Sequence, residues 1–355
     1  MTNTRITHLR TKLDTLGVDG IFVYQPENRK YLSGFDGTTG YVLVTAADAI
    51  LATDFRYVEQ AEGQVKDCRV RRIDGPVKNW FPGLVSDAKV SRLGVESGHV
   101  TLADFERFRS ALEAAGVKAE LVPVADAVET LRLIKDASEI RKIEAAARLT
   151  DAALTFVAEK FLRPGVTEKK LAWELEKYIR ESGGELAFPT IVTGGPSSAM
   201  AHVQPSDRPL RLNEPVVIDM GAKLSGYCGD LTRTFWLGDM DARFVELYTT
   251  VLRAQAAAIE GIVSGMPGAE ADKLARDVIA EAGYAEAFGH SLGHGIGLEV
   301  HENPRLGQNS TDVLADGMTF TIEPGIYITG WGGIRIEDDA VLENGKIRLL
   351  TASPK

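Results

Sequence analysis

The chain has 355 residues, more than one compact core usually holds, so two domains are expected. Its composition is 44% hydrophobic and 25% charged, with 35 glycines and 14 prolines, which excludes a disordered, fibrous or repeat-array chain. A net charge of −10 speaks against a nucleic-acid partner and against an anionic membrane surface, since both select a basic face.

In the first segment, Ile6, Leu9, Leu13 and Leu16 recur at helical spacing and Gly17 ends the helix. The segment lacks the apolar core and small-residue cleavage site of a signal peptide. No apolar run approaches the roughly 18 residues of a membrane span. Cys68 and Cys228 cannot build a disulfide framework, so a reduced, cytoplasmic protein is expected. Gly20 to Tyr24 reads as a buried strand, and Tyr41 to Thr45 with Ile50 to Thr53 reads as a hairpin. Helical Phe105 to Ala115 and extended Leu121 to Val124 follow, giving a small α/β domain with a mixed sheet. The domain boundary falls within 126–135 and is drawn as 1–127 and 128–355. Beyond it Asp136-Ala-Ser-Glu opens a long helix to about Lys160, with Asp136 or Ser138 as the N-cap. Pro164-Gly165 breaks the chain, and a second helix runs from Thr167 to Gly183-Gly184. From Val216 onward strands dominate, interrupted by a helical pair at about 241–264 and 268–282. Sequential hairpins with helices set apart predict an α+β domain on an antiparallel sheet, with only a faint helix–helix–hairpin symmetry inside it.

The strand ends carry the chemistry. Asp219 follows Val216-Val217-Ile218, and Asp230 opens Leu231-Thr232-Arg233-Thr234. Leu224-Ser225-Gly226 supplies the turn between them. A turn centred between 224 and 225 sets Asp219 opposite Asp230, whereas a Ser225-Gly226 turn makes the pair diagonal. Both registers keep the two carboxylates on one face, where they repel unless a cation sits between them. Alternation puts Phe320 and Ile322 on one face of their strand and Thr321 and Glu323 on the other. Ile334 and Ile336 likewise share a face, while Arg335 points with Glu337 and can orient a carboxylate ligand. His294 lies in Gly293-His294-Gly295-Ile296-Gly297, where glycines let the backbone approach a site closely. Four carboxylates and one imidazole suit two divalent ions about 3.5–4 Å apart that share bridging carboxylates and a water. Asp338 and Asp339 are expected to form an acidic surface run, and Cys228 a small buried filler.

The ordered set IDMG, GDLTRTF, GHGIGLEVHE, TIEPG and IRIEDD resembles the pita-bread metallopeptidases, family M24, which include methionine aminopeptidase, aminopeptidase P and prolidase. Tyr31-Leu32-Ser33-Gly34-Phe35 is similar to the creatinase/prolidase N-terminal domain, so the resemblance covers the whole chain. It implies an α+β pita-bread catalytic domain behind an α/β domain, in a homodimer. It also implies that Asp219 chelates one ion, that His294 and Glu323 chelate the other, and that Asp230 and Glu337 bridge. His202 and His301 match histidines that face the substrate and the tetrahedral intermediate, although Ala201 and Val203 flank His202 where relatives carry Pro and Gly or Ala. Candidate substrate-binding residues are thus His202, His301, Arg305 and Arg335, with Glu323 as the proton shuttle. Oxygen-rich ligation with one imidazole favours Mn²⁺ or Co²⁺, with Zn²⁺ as a further candidate. The separate N-terminal domain argues against methionine aminopeptidase. The expected function is cleavage of Xaa-Pro bonds in di- or oligopeptides by a bridging water deprotonated near neutral pH. A dipeptidase (prolidase) is expected first, on chain length and on Arg305 after His-Glu-x-Pro. Aminopeptidase P is the alternative, and a metal-stabilised binding protein without turnover is a remote one.

Overall fold

The computed structural model describes residues 4–200 and 203–355, and the chain divides into two units after Arg132. In the first unit helix α1 (Thr4–Leu16) buries Ile6, Leu9 and Leu13 and stops at Gly17, whose φ of +66° suits a residue without Cβ. Strands β1 (Gly20–Val23), β2 (Tyr41–Thr45), β3 (Ala49–Thr53), β4 (Arg69–Arg72), β5 (Arg92–Glu96) and β6 (Glu120–Val124) form one sheet in the order β4-β3-β2-β1-β5-β6. The β1–β2 and β2–β3 pairings are antiparallel and the others parallel, which is the mixed sheet expected. Helices α2 (Pro26–Ser33), α3 (Val58–Gln64), α4 (Val77–Asp87) and α5 (Leu102–Ala114) accompany the strands, with Phe22, Trp80, Phe81 and Phe108 clustered in the core. The short helix α6 (Glu129–Arg132) stays with this unit instead of starting the next, because Asn28 bonds to it from α2. Its amide donates to Glu129 Oε1 at 2.6 Å, and its oxygen accepts from Arg132 at 2.8 Å. The division therefore falls beyond residue 127.

The second unit begins with α7 (Ala137–Lys160) and α8 (Glu168–Glu181). Asp136, not Ser138, caps α7. Its carboxylate accepts from the Ser138 and Glu139 amides while Glu139 reaches back to the Asp136 amide, a capping box. Strands β7 (Glu185–Leu186), β8 (Ile191–Gly194), β9 (Pro215–Met220), β10 (Ala222–Leu224), β11 (Tyr227–Cys228) and β12 (Leu231–Trp236) follow. Then come α9 (Ala242–Gly261) and α10 (Gly268–Glu281). The remaining strands are β13 (Gly293–Gly295), β14 (Glu302–Leu306), β15 (Thr319–Ile322), β16 (Gly325–Ile328), β17 (Gly332–Arg335), β18 (Asp338–Glu343) and β19 (Lys346–Leu349). The sheets β12-β9-β8 and β14-β13-β15-β18-β19 are antiparallel throughout. The α7–α8 pair packs on Val192, Ile218 and Leu231, and the α9–α10 pair on Phe320, Ile322, Ile334 and Ile336. A helix pair over antiparallel strands thus occurs twice. No helix among the described residues is long and apolar enough to cross a membrane.

Two local outcomes matter for the site. Leu224 pairs with Tyr227 across a Ser225-Gly226 turn whose φ values are +54° and +85°, a turn with both central residues left-handed. In that register Asp219 lies opposite Thr232, so Asp219 and Asp230 are diagonal on one face. The second outcome is a correction. Asp338 and Asp339 are not a surface run but are 1% and 0% exposed. They sit on β18, an interior strand between β15 and β19 of the five-stranded sheet, where successive side chains enter opposite faces and both are buried. Asp338 accepts from Arg233 and Thr351, and Asp339 Oδ2 accepts from the Asp230 amide at 2.9 Å. Cys228 is a buried filler, 1% exposed.

Candidate metal centre

Five strand ends converge on a cleft of about 500 Å³ in the second unit. Its lining includes Asp219, Asp230, His294, His301, Arg305, Glu323, Arg335 and Glu337. Of the residues singled out in the sequence only His202 is absent, because it lies outside the described residues. Asp219 leans on Arg335, which donates to its Oδ2 and also to Thr232 Oγ1 at 3.0 Å and to the Tyr327 hydroxyl at 2.7 Å. Glu337 accepts from Thr232 Oγ1 at 2.6 Å, and Glu323 from Thr321 Oγ1 at 3.1 Å. His294 is carried by β13, whose flanking glycines are obligatory. A Cβ on Gly293 would stand 2.0 Å from the Thr321 carbonyl oxygen, and one on Gly295 would stand 2.2 Å from that of Asn303.

The donor set fits divalent cations. His294 Nε2 lies 3.3 Å from Glu323 Oε1 and 3.8 Å from Asp230 Oδ2. Its Nδ1 sits 3.1 Å from the Gly295 carbonyl, so Nδ1 carries the proton and Nε2 turns a lone pair towards two carboxylates. Burial, and then the neighbouring His301, push His294 down to about 4, so the ring is neutral near pH 7. Burial raises the Asp230 and Glu337 carboxyls well above their ordinary range, and the neighbouring acids add to the rise. Glu323 is pushed up to about 7, first by burial, with Arg335 opposing and Asp219 adding. Asp219 Oδ1 and Asp230 Oδ1 are buried with no hydrogen-bond partner among the described residues. Ligand atoms of Asp230, His294 and Glu337 all lie within 4.8 Å of one another. Bare oxygens facing a lone pair are costly in a dry site and become favourable around a cation.

His301 stands edge-on to His294, with ring centroids 4.3 Å apart at 76°. Arg305 lies opposite His294 in the β13–β14 register, and its side chain is exposed. The Arg305 guanidinium has no carboxylate partner among the described residues, although its amide donates to Asp312. Sequence reasoning missed Asp339, which holds the Asp230 backbone, and the apolar wall of Phe188, Pro189 and Ile191. It also missed His290 and Tyr327, bonded to each other at 2.9 Å. The wall carries no signal that separates it from ordinary core.

The model of metallopeptidase family M24 matches residues 141–344. The chain belongs to that family. Residues 5–134 match the creatinase/prolidase N-terminal domain. The chain is 40% identical to the solved Xaa-Pro dipeptidase from Bacillus anthracis, with a TM-score of 0.95 and coverage of 99% of this chain and 98% of that one. It is 36% identical over 353 residues to the Xaa-Pro dipeptidase of Pyrococcus furiosus, covering 97% of both chains. It is also 36% identical to the solved X-Pro aminopeptidase from Thermotoga maritima, with a TM-score of 0.88 and 98% of each chain covered. This M24 protein is therefore a metallopeptidase with the pita-bread fold behind a creatinase-type domain, and it uses divalent metal.

Proposed function

We propose that this M24 metallopeptidase is an Xaa-Pro dipeptidase in which Asp219, Asp230, His294, Glu323 and Glu337 hold two divalent ions. The donor set, four carboxylates and one neutral imidazole, favours Mn²⁺ or Co²⁺. When bound, the ions supply Lewis acidity and lower the pKa of a water towards neutrality. The chain's own groups do the rest. Arg335 holds the Asp219 carboxylate in place through its Nη2. Glu323 takes a proton from the attacking water on its carboxylate and delivers it to the proline nitrogen as that nitrogen leaves. His301, beside His294 at the cleft mouth, donates to the oxygen of the scissile carbonyl, and His202 serves the same end. Phe188, Pro189 and Ile191 give the pyrrolidine ring an apolar wall. A homodimer and a cytoplasmic location belong to the same reading, the first resting on the family resemblance and the second on the cysteine content and the N-terminal pattern.

The observation that carries the dipeptidase reading is Arg305, an exposed guanidinium on the cleft lining with no acid paired to it among the described residues. A dipeptide ending in proline presents a free carboxylate there, and a guanidinium matches it in bidentate fashion. Longer Xaa-Pro peptides present an amide instead. Steady-state hydrolysis of Ala-Pro, Ala-Pro-NH₂ and a longer Ala-Pro peptide by wild type and Arg305→Ala tests this. Wild type should prefer the dipeptide, and Arg305→Ala should raise its KM about 10- to 100-fold, the cost of losing a charged hydrogen-bonded pair. The amide should be cleaved equally by both proteins. A wild type that prefers the longer peptide and is indifferent to the substitution would make the protein an aminopeptidase P.

A further inference from the structure

Glu323 and Glu337 sit in a gap between two ladders. The β15–β18 ladder ends at the pair Ile322–Asp338, and the β16–β17 ladder starts at Gly325–Arg335. Across the intervening residues the backbone contributes a long bond of 3.4 Å from the Ile336 amide to the Pro324 carbonyl. Each glutamate is tied outward by its own amide, Glu323 to the Leu292 carbonyl at 2.8 Å and Glu337 to the Thr232 carbonyl at 3.1 Å. The outward bonds leave the spacing between the two glutamates to be set by something else.

A side chain from α9 fills that gap from the core side. Gln255, 0% exposed, lies in the apolar stripe of Phe244, Leu247, Val251, Ala254 and Ala258. Its Nε2 donates to the carbonyls of Ile322 at 3.0 Å and Ile336 at 3.2 Å and to Asp338 Oδ2 at 3.0 Å. Those carbonyls belong to the residues immediately before Glu323 and Glu337. The three surrounding acceptors fix which end of the amide is the nitrogen, while Oε1 has no partner among the described residues. A buried amide oxygen left unpaired costs on the order of 1–3 kcal/mol, so the nitrogen's contacts must offset it. An apolar residue would have filled this position without that cost.

We propose that Gln255 is a positioning residue for the metal pair, its amide setting the spacing of the Glu323 and Glu337 carboxylates from behind. The inference rests on the ligand assignment made above. Because Gln255 faces the core and Glu323 and Glu337 face the cleft, the residue touches neither ion nor substrate.

The test compares Gln255→Met, of similar length without the donor, with Thr250→Val. Thr250 is a second buried polar residue of α9, bonded among the described residues only within its own helix, to the Glu246 carbonyl. Affinity for Mn²⁺ and Co²⁺ is measured by competition with a chromophoric chelator, alongside Tm of the metal-free proteins and the visible spectrum of the Co²⁺ forms. Gln255→Met should lose about tenfold or more in ion affinity, the range found when a ligand's supporting partner is removed, and its Co²⁺ spectrum should shift. Thr250→Val should match wild type in affinity and spectrum, even where its Tm falls as far. At saturating metal the KM for Ala-Pro should be the same in all three proteins. A Gln255→Met protein with wild-type affinity and spectrum overturns the inference and leaves the ligand assignment standing. A wild type that binds neither ion overturns both. Should Met yield too little folded protein, Gln255→Asn retracts the amide by one methylene and should show the same loss, and unaltered affinity there is equally fatal.

Discussion

Glu96 in the first unit and Asp230 in the second are both carboxylates sealed from water, 2% and 4% exposed, yet their surroundings differ in kind. Glu96 is solvated by protein: its Oε2 accepts from the Tyr24 and Gln25 amides at 2.6 and 2.8 Å, and its Oε1 from the Asn28 amide group at 2.6 Å. Asp230 has one bare oxygen, and around it stand Glu337, Asp219, Asp339 and Glu323. Glu168 in the second unit follows the Glu96 pattern, with the Gly194 and Ser206 amides and the Ser206 hydroxyl bonded to it. Glu96 and Glu168 are therefore surrounded by donors, whereas the cleft acids are under-solvated in a group. That difference is what an ion would complete.

The largest expected effect tests the cleft side of the contrast. Glu323→Gln should lower kcat by about 10²–10⁴-fold, the usual contribution of a general acid–base group, provided metal content is measured in parallel. A variant that holds both ions and turns over normally removes Glu323 from the proton path.

A smaller effect follows from protonation in the metal-free protein. The folded-state value of Glu323 is raised to about 7 against an ordinary 4.5, and Asp230 and Glu337 shift the same way. Between these limits the three carboxyls bind more protons in the folded state than in the unfolded one, so their contribution to stability falls as pH rises from 4.5 through 7. They are three groups against the opposite contribution of His294, whose folded value is about 4 against an ordinary 6.5. Denaturant melts of metal-free protein at pH 5 and pH 8 should show the loss at the higher pH, and saturating metal should remove it. Equal metal-free stabilities would mean that the cleft acids are better solvated than their geometry indicates.

The smallest effect belongs to the first unit. Glu96→Gln keeps a neutral acceptor for the Tyr24 and Gln25 amides but sets a donor against the Asn28 amide group, which should cost about 1–3 kcal/mol of stability. Metal affinity and kcat should not move, and a change in either would blur the distinction between the two kinds of buried acid.

Much of this was legible in residue patterns, for identifiable reasons. The alternation of Phe320, Thr321, Ile322 and Glu323 could bury two apolar residues only by turning Glu323 the other way. The glycines around His294 stand where a Cβ would strike backbone. The diagonal register of Asp219 and Asp230 was left open because it depends on which two residues make the turn, and Ser225 tolerates the left-handed backbone needed there. Asp338 and Asp339 were misread because local charge says nothing about where a strand lies in its sheet. An interior strand covered on both faces buries even consecutive acids, here answered by Arg233, Thr351 and the Asp230 amide. Gln255 went unnoticed because its role depends on carbonyls more than sixty residues away in the chain.

The central claim is that the cleft acids and His294 hold two divalent ions required for turnover. Exhaustive chelation followed by graded return of Mn²⁺ or Co²⁺, with Ala-Pro hydrolysis and bound metal followed together, tests it most directly. The account predicts no hydrolysis by the metal-free protein and recovery as binding approaches two ions per chain. Full turnover by protein verified to contain no metal would contradict it.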